Sequence, residues 1–186
     1  MTIRYLDEGR YLAATSGRRG HWKNAGARWD YHKTASDLVR MARPPSACDV
    51  LEMGTMGVQV VEGSDTIDYA EKWNHAGPEP TFLHDARQLP WPIASKRYHV
   101  FVALRVFHHL WPKQRECFLE ARRIARHIVM VVPDKYEVAE LRDTSVGITE
   151  AQLVEWNDGV APTLSLPLAD WIGRIYYWSE DALRGR

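Results

Sequence analysis

Three polar side chains, Arg105, His108 and His109, stand directly behind the strongest apolar run of the chain, Tyr98 to Leu104 (YHVFVAL). A histidine titrates near neutrality and can take a proton from a reacting group. It is equally a residue that fills a structural place. Gly54 and Gly57 follow a shorter apolar run, Val50–Leu51–Glu52–Met53. Glycine there lets the backbone approach a ligand with φ > 0, or simply makes a turn. Asp68 and Asp85 end two further extended stretches. A carboxylate offers two acceptor oxygens to a ligand, and it also caps turns. His84, His108 and His109 do not have the spacing of a metal site. The two cysteines, Cys48 and Cys117, lie far apart and outside any CxxC pattern. No structural metal is expected, and the cysteines read as reduced thiols of a cytoplasmic protein.

The elements that must position these residues follow from pattern. Apolar runs at Val50–Met53, Thr81–Asp85, Tyr98–Leu104 and His127–Val132 read as buried strands. Residues 58–69 read as extended, broken at Gly63. Asp30–Met41, Pro112–Ala125 and Thr149–Trp156 read as helices. Pro44 and Pro45 stop the first of these. Thr163–Leu168 and Arg174–Trp178 read as two strands joined by a turn near Gly173. Alternation of strand and helix predicts a mostly parallel sheet with helices on both faces. The last two strands are too close in sequence to run parallel, because a parallel return needs a crossover of a dozen or more residues. They are expected as an antiparallel edge hairpin.

The chain has 186 residues, with 24 basic and 24 acidic side chains. That length fits one domain, and the cancelling charge argues against nucleic acid as the partner. Residues 1–29 are expected as an N-terminal arm, 30–135 as the binding core and 136–186 as a C-terminal helix and hairpin. The arm holds a basic stretch, 9–29, which reads as solvated and mobile. No signal peptide and no membrane-spanning run are expected.

Val50–Gly57 (VLEMGTMG), Phe82–Pro92 (FLHDARQLPWP), Tyr98–Leu110 (YHVFVALRVFHHL) and Phe118–Pro133 together resemble class I S-adenosylmethionine (SAM)-dependent methyltransferases. The resemblance covers about residues 48–135. It implies an α/β fold, a Rossmann-like three-layer sandwich with a mostly parallel seven-stranded sheet. It implies SAM as cofactor and methyl transfer to a small-molecule acceptor. Glu52, Gly54, Thr55 and Gly57 would then hold the methionine part. Asp68, with Asp65 as competitor, would hold the ribose. Asp85 and the amide of Ala86 would hold the adenine, and Leu104 would border the cofactor. Arg105 would face the acceptor, with His108 and His109 as the catalytic pair. Two departures stand out. Met56 and Val58 occupy positions where the family usually has glycine. The helix that normally follows the loop is expected to be missing, because Val58, Val60 and Val61 favour extended structure and Gly63 interrupts it. Trp73 or Trp91 would cover the face so exposed, leaving the methionine end more open. The altered loop also admits a non-catalytic relative that keeps the fold for binding. A nicotinamide dehydrogenase is disfavoured, since Gly54–Gly57 does not match GxGxxG.

Overall fold

The computed structural model describes residues 2–18, 22, 24–69, 79–133, 147–168 and 173–184. Seven strands form one sheet in the order β3-β2-β1-β4-β5-β7-β6. They are β1 (Val50–Met53), β2 (Asp65–Asp68), β3 (Phe82–Leu83), β4 (Tyr98–Leu104), β5 (Ala125–Val132), β6 (Leu164–Pro167) and β7 (Arg174–Trp178). The first five run parallel to one another. β7 lies antiparallel to β5 and to β6, which is the expected edge hairpin. The strand order reverses between β1 and β4, and such a switch point is where α/β sheets bind ligands.

Period-two alternation divides the central strands between two cores. Leu51, Phe101, Ala103, Ile128, Met130 and Val132 face one way, with Trp91 and Trp178. Helices α3 (Gln114–Ile124), α4 (Glu150–Trp156) and α5 (Glu180–Arg184) cover that face through Phe118, Ala121, Leu153 and Leu183. Val50, Val100, Val102, Val129 and Val131 face the other way, under Tyr31, Ala35 and Val39 of α2 (Ala25–Ala42). Two helix boundaries show a local cause. Thr149 and Gln152 form a reciprocal capping box at the start of α4. α2 ends at Arg43, in the left-handed region with φ 54°, directly before Pro44 and Pro45.

The N-terminal region differs from expectation. Residues 8–15 form a helix, α1 (Glu8–Thr15), whose N-cap Asp7 accepts the Arg10 amide at 2.8 Å. α2 begins at Ala25, five residues earlier than the apolar pattern suggested. The cause is aromatic. Tyr11 and Trp22 are buried with Leu6 and Val58 in a third small core. Tyr11 also donates to the Ala25 carbonyl at 2.6 Å. Among the described residues of the basic stretch, Arg10, Arg18 and Arg28 sit on a packed scaffold; Arg19 and Lys23 lie outside the described residues.

No helix separates β1 from β2. Residues 58–64 are held on the α2 side of the sheet, where Val60 and Val61 are fully buried. Tyr5 and Val61 form an antiparallel bridge, with the Leu6 amide on the Val60 carbonyl at 2.7 Å and the Glu62 amide on the Arg4 carbonyl at 3.0 Å. The chain's own N-terminus thus covers the place of the missing helix. Trp91 does not, because it lies on the opposite face against Phe101. Trp73 lies outside the described residues.

Candidate functional site

Four adjacent parallel strands, β3, β2, β1 and β4, end along one edge of the sheet. Their carboxyl ends lead into His84–Asp85, Asp68–Tyr69, Gly54–Gly57 and Arg105–His109 respectively. The edge is stitched together by the Gly54 amide on the Ile67 carbonyl (3.1 Å) and the His84 amide on the Asp68 carbonyl (2.8 Å). Three large apolar side chains, Tyr69, Leu83 and Trp111, stand exposed at or just beyond these strand ends. Asp65 lies at the opposite end of β2, where it accepts from the Tyr98 hydroxyl at 2.7 Å.

The loop after β1 is a run of left-handed residues: Gly54 (φ 62°), Met56 (φ 50°) and Gly57 (φ 79°). A Cβ added at Gly54 would stand 2.6 Å from Cγ2 of Val106, so the β1 and β4 loops touch there and only glycine fits. The loop's later amides are satisfied within the protein. Gly57 donates to Thr55 Oγ1 (3.3 Å), and Val58 donates to the Thr55 carbonyl (3.0 Å). From the N-terminal side, Arg18 donates Nη1 to the Met56 carbonyl at 2.9 Å and reaches the Gly57 carbonyl at 3.5 Å.

Glu52 points to the α2 side of β1 and is buried. Its carboxylate accepts the amides of Val60 (2.8 Å) and Val61 (2.9 Å) and the hydroxyl of Ser64 (2.7 Å). Burial pushes its carboxyl up to about 7, against these three hydrogen bonds, which favour the charged form. Both oxygens are engaged in holding residues 60–64. Its effect on the glycine loop is therefore exerted through that segment.

Asp68 Oδ1 accepts from the Tyr69 amide at 2.8 Å. Asp85 grips Arg87, accepting from its amide, Nε and Nη2 at 3.0, 3.0 and 2.9 Å. That pair holds the Asp85 carboxyl below its usual range. Ala86 is buried, and its carbonyl accepts from Trp91 Nε1 (2.8 Å) and Cys117 Sγ (3.2 Å). This fixes the turn behind β3 against α3.

Leu104 closes β4, and Arg105 turns the chain with φ 59° while its amide still bonds the Val131 carbonyl at 2.8 Å. A left-handed non-glycine residue costs about 1–3 kcal/mol and is typical of functional turns. The turn feeds a short 3-10 helix, Phe107–His109. His108 is buried and His109 is exposed, with ring centroids 3.9 Å apart. Burial, with the neighbouring His109 and Arg105, lowers His108 to about 2. Burial and Arg105 also lower His109. Both rings are neutral at pH 7. Among the described residues, no three His, Cys, Asp or Glu side chains gather as metal ligands. His84 is directed to the Gln88 carbonyl at 2.8 Å.

The structure thus brings Gly54, Thr55, Gly57, Asp68, Asp85, Leu104, Arg105, His108 and His109 to one edge. Sequence reasoning missed Arg18 and Val106. Arg18 lies in the basic stretch, but nothing in its spacing ties it to residue 56. Val106 is one apolar residue among many until the two loops are seen to meet.

No family model and no curated protein matches the sequence. Solved structures do match in shape. The magnesium protoporphyrin IX methyltransferase of Synechocystis PCC 6803, solved with bound SAM, aligns with a TM-score of 0.54 at 13% identity, over 91% of this chain and 88% of that one. A candidate RNA methyltransferase from Pyrococcus horikoshii aligns with a TM-score of 0.53 at 14% identity, over 94% and 97%. A candidate methyltransferase from Bacillus halodurans C-125 aligns with a TM-score of 0.50 at 16% identity, over 69% and 68%. The chain has the Rossmann-like fold of the class I SAM-dependent methyltransferases. Among the described residues, no helix is long and apolar enough to cross a membrane.

Proposed function

We propose that this chain is a SAM-dependent methyltransferase acting on a small-molecule acceptor, built as one domain. One observation carries the reading: the glycine loop, Asp68, Asp85 and the Arg105–His109 turn all lie at the carboxyl ends of four neighbouring parallel strands, at the switch point of a methyltransferase fold. The donor chemistry fits the cofactor. Asp68 ends β2, and Asp85 follows the adjacent β3 by two residues. Two neighbouring carboxylates suit the ribose hydroxyls and the adenine amine, all of them donors. The place of Asp65 at the far end of β2, on the Tyr98 hydroxyl, favours Asp68 for this role. Thr55 and the two glycines shape the loop for the methionine part, and Glu52 positions that loop from behind.

SAM supplies, when bound, a methyl group on a sulfonium, already activated for transfer. The chain's residues then have to align an acceptor and remove its proton. His109 suits proton removal, being neutral and exposed where β4 ends. His108 supports it by packing against its ring at a tilt of 41° and stays neutral through burial. Arg105 contributes positive charge beside both rings, which favours an anionic or polar acceptor. Tyr69, Leu83 and Trp111 give the edge an apolar rim.

Calorimetric titration with SAM and S-adenosylhomocysteine tests this reading. Micromolar or tighter binding of both supports it, and absence of binding sinks it. A second reading, a non-catalytic binding protein of the same fold, is favoured by one feature: the amides of Gly57, Val58, Val60 and Val61 are already spent inside the protein. Cofactor binding without turnover over a broad acceptor panel would support it.

A further inference from the structure

We infer that Arg18 is the counter-charge for the carboxylate of the cofactor's methionine part, in place of the helix N-terminus that this chain lacks. The inference rests on the methyltransferase reading and adds a binding residue to its site.

Three observations converge. First, four backbone donors that follow β1 are already committed. A helix after β1 would present free amides and a positive dipole end. Here no helix follows, and the amides of Gly57, Val58, Val60 and Val61 are all taken up by Thr55 and Glu52.

Second, Arg18 reaches this loop from a distant part of the sequence. Its guanidinium lies on the Met56 and Gly57 carbonyls, at the tip of the turn between the two glycines. The group also lies 6.0 Å from the Trp22 ring, which restricts its approach. α1 and the buried Tyr11–Trp22 contact anchor the segment that carries it.

Third, Arg18 is a half-buried cation whose described contacts are carbonyls and a ring. It has no carboxylate partner among the described residues, and burial lowers its pKa. A guanidinium has five donors in a planar fork that matches a carboxylate. Two carbonyls leave part of that fork unused. A partly desolvated cation gains most from an anion brought to it. The remaining donors stand beside the loop that the methionine part must cross.

The test is calorimetry on the full chain with two ligands, S-adenosylhomocysteine and 5′-methylthioadenosine. The second keeps the adenosine and the thioether but lacks the amino-acid carboxylate. Arg18→Gln is expected to weaken S-adenosylhomocysteine about ten-fold or more, the loss of a charge-assisted hydrogen bond. It should leave methylthioadenosine within about two-fold. Arg18→Lys should recover part of the loss, because it restores the charge without the fork. Equal weakening of both ligands would make Arg18 a mere prop for the loop and overturn the inference. So would no weakening of either. Thermal melts of each variant separate loss of fold from loss of contact. An unaltered protein that binds neither compound overturns the methyltransferase reading, and this inference with it. One that binds both, with Arg18→Gln unchanged, overturns this inference alone.

Discussion

Gly54 is the point where the two loops of the switch point meet, and Gly54→Ala puts a number on that contact. Gly54 has φ 62°, a conformation that costs an alanine about 1–2 kcal/mol. The new methyl would also stand 2.6 Å from Cγ2 and 3.4 Å from Cγ1 of Val106. Valine is stiff at χ1 and cannot swing clear cheaply, so overpacking adds about 1–3 kcal/mol. The total expected loss is about 2–5 kcal/mol. Val106→Ala removes both Cγ atoms and leaves only Val106 Cβ, at 3.6 Å, an ordinary contact. The double variant should therefore recover the steric share and keep the backbone share. Urea denaturation of the four proteins, with unchanged m-values, gives the cycle. A favourable coupling of about 1–3 kcal/mol is expected. A Gly54→Ala variant within about 0.5 kcal/mol of the parent, or a cycle with no coupling, would refute the reasoning.

Other outcomes follow from the same geometry. Glu52 titrates near 7 when folded against 4.5 in the unfolded chain, so the folded state holds the extra proton between those values. Its contribution should make stability fall as pH rises through that window, by roughly 3 kcal/mol. His108 and His127 are lowered on folding, to about 2 and about 4, and act with the opposite sign. The readout is therefore the parent-minus-Glu52→Gln difference in stability across pH, and a flat difference would refute it. Asp85→Ala should weaken SAM by about 1.5–3 kcal/mol, while urea stability changes by less than about 1 kcal/mol, because its Arg87 pair lies at the surface. Unchanged affinity would remove Asp85 from the site. The His108 ring should remain neutral at about pH 4 in an NMR titration, and a midpoint above about 6 would show that burial does not control it.

The sheet was legible because its strands carry uniform apolar runs. Val50–Met53 is buried at every residue, as are the inner stretches Val100–Ala103 and Ile128–Val132 of the two longer runs. The reversed hairpin was legible from chain length alone. α1 and the start of α2 were not, because their burial rests on aromatic side chains scattered among arginines, a pattern that reads as a solvated stretch. The placement of the candidate site was legible at strand ends, where Asp85 follows β3 and Arg105 follows β4. It was illegible where a contact joins distant residues. Glu52 shows the limit most plainly: its place on β1 was clear, but the target of its carboxylate depends on which face the following segment takes.

The extended 58–64 segment changes how this part of the molecule opens. A helix satisfies its amides within itself and exchanges them turn by turn. Here the amides of Val60 and Val61 depend on Glu52, while Glu62 depends on Arg4 and the Val60 carbonyl on Leu6. Amide exchange at residues 60–62 should therefore follow the detachment of residues 4–6, as one cooperative unit separated by more than fifty positions in sequence. Whatever loosens the first few residues, a terminal fusion included, would reach the glycine loop through that unit without touching any ligand.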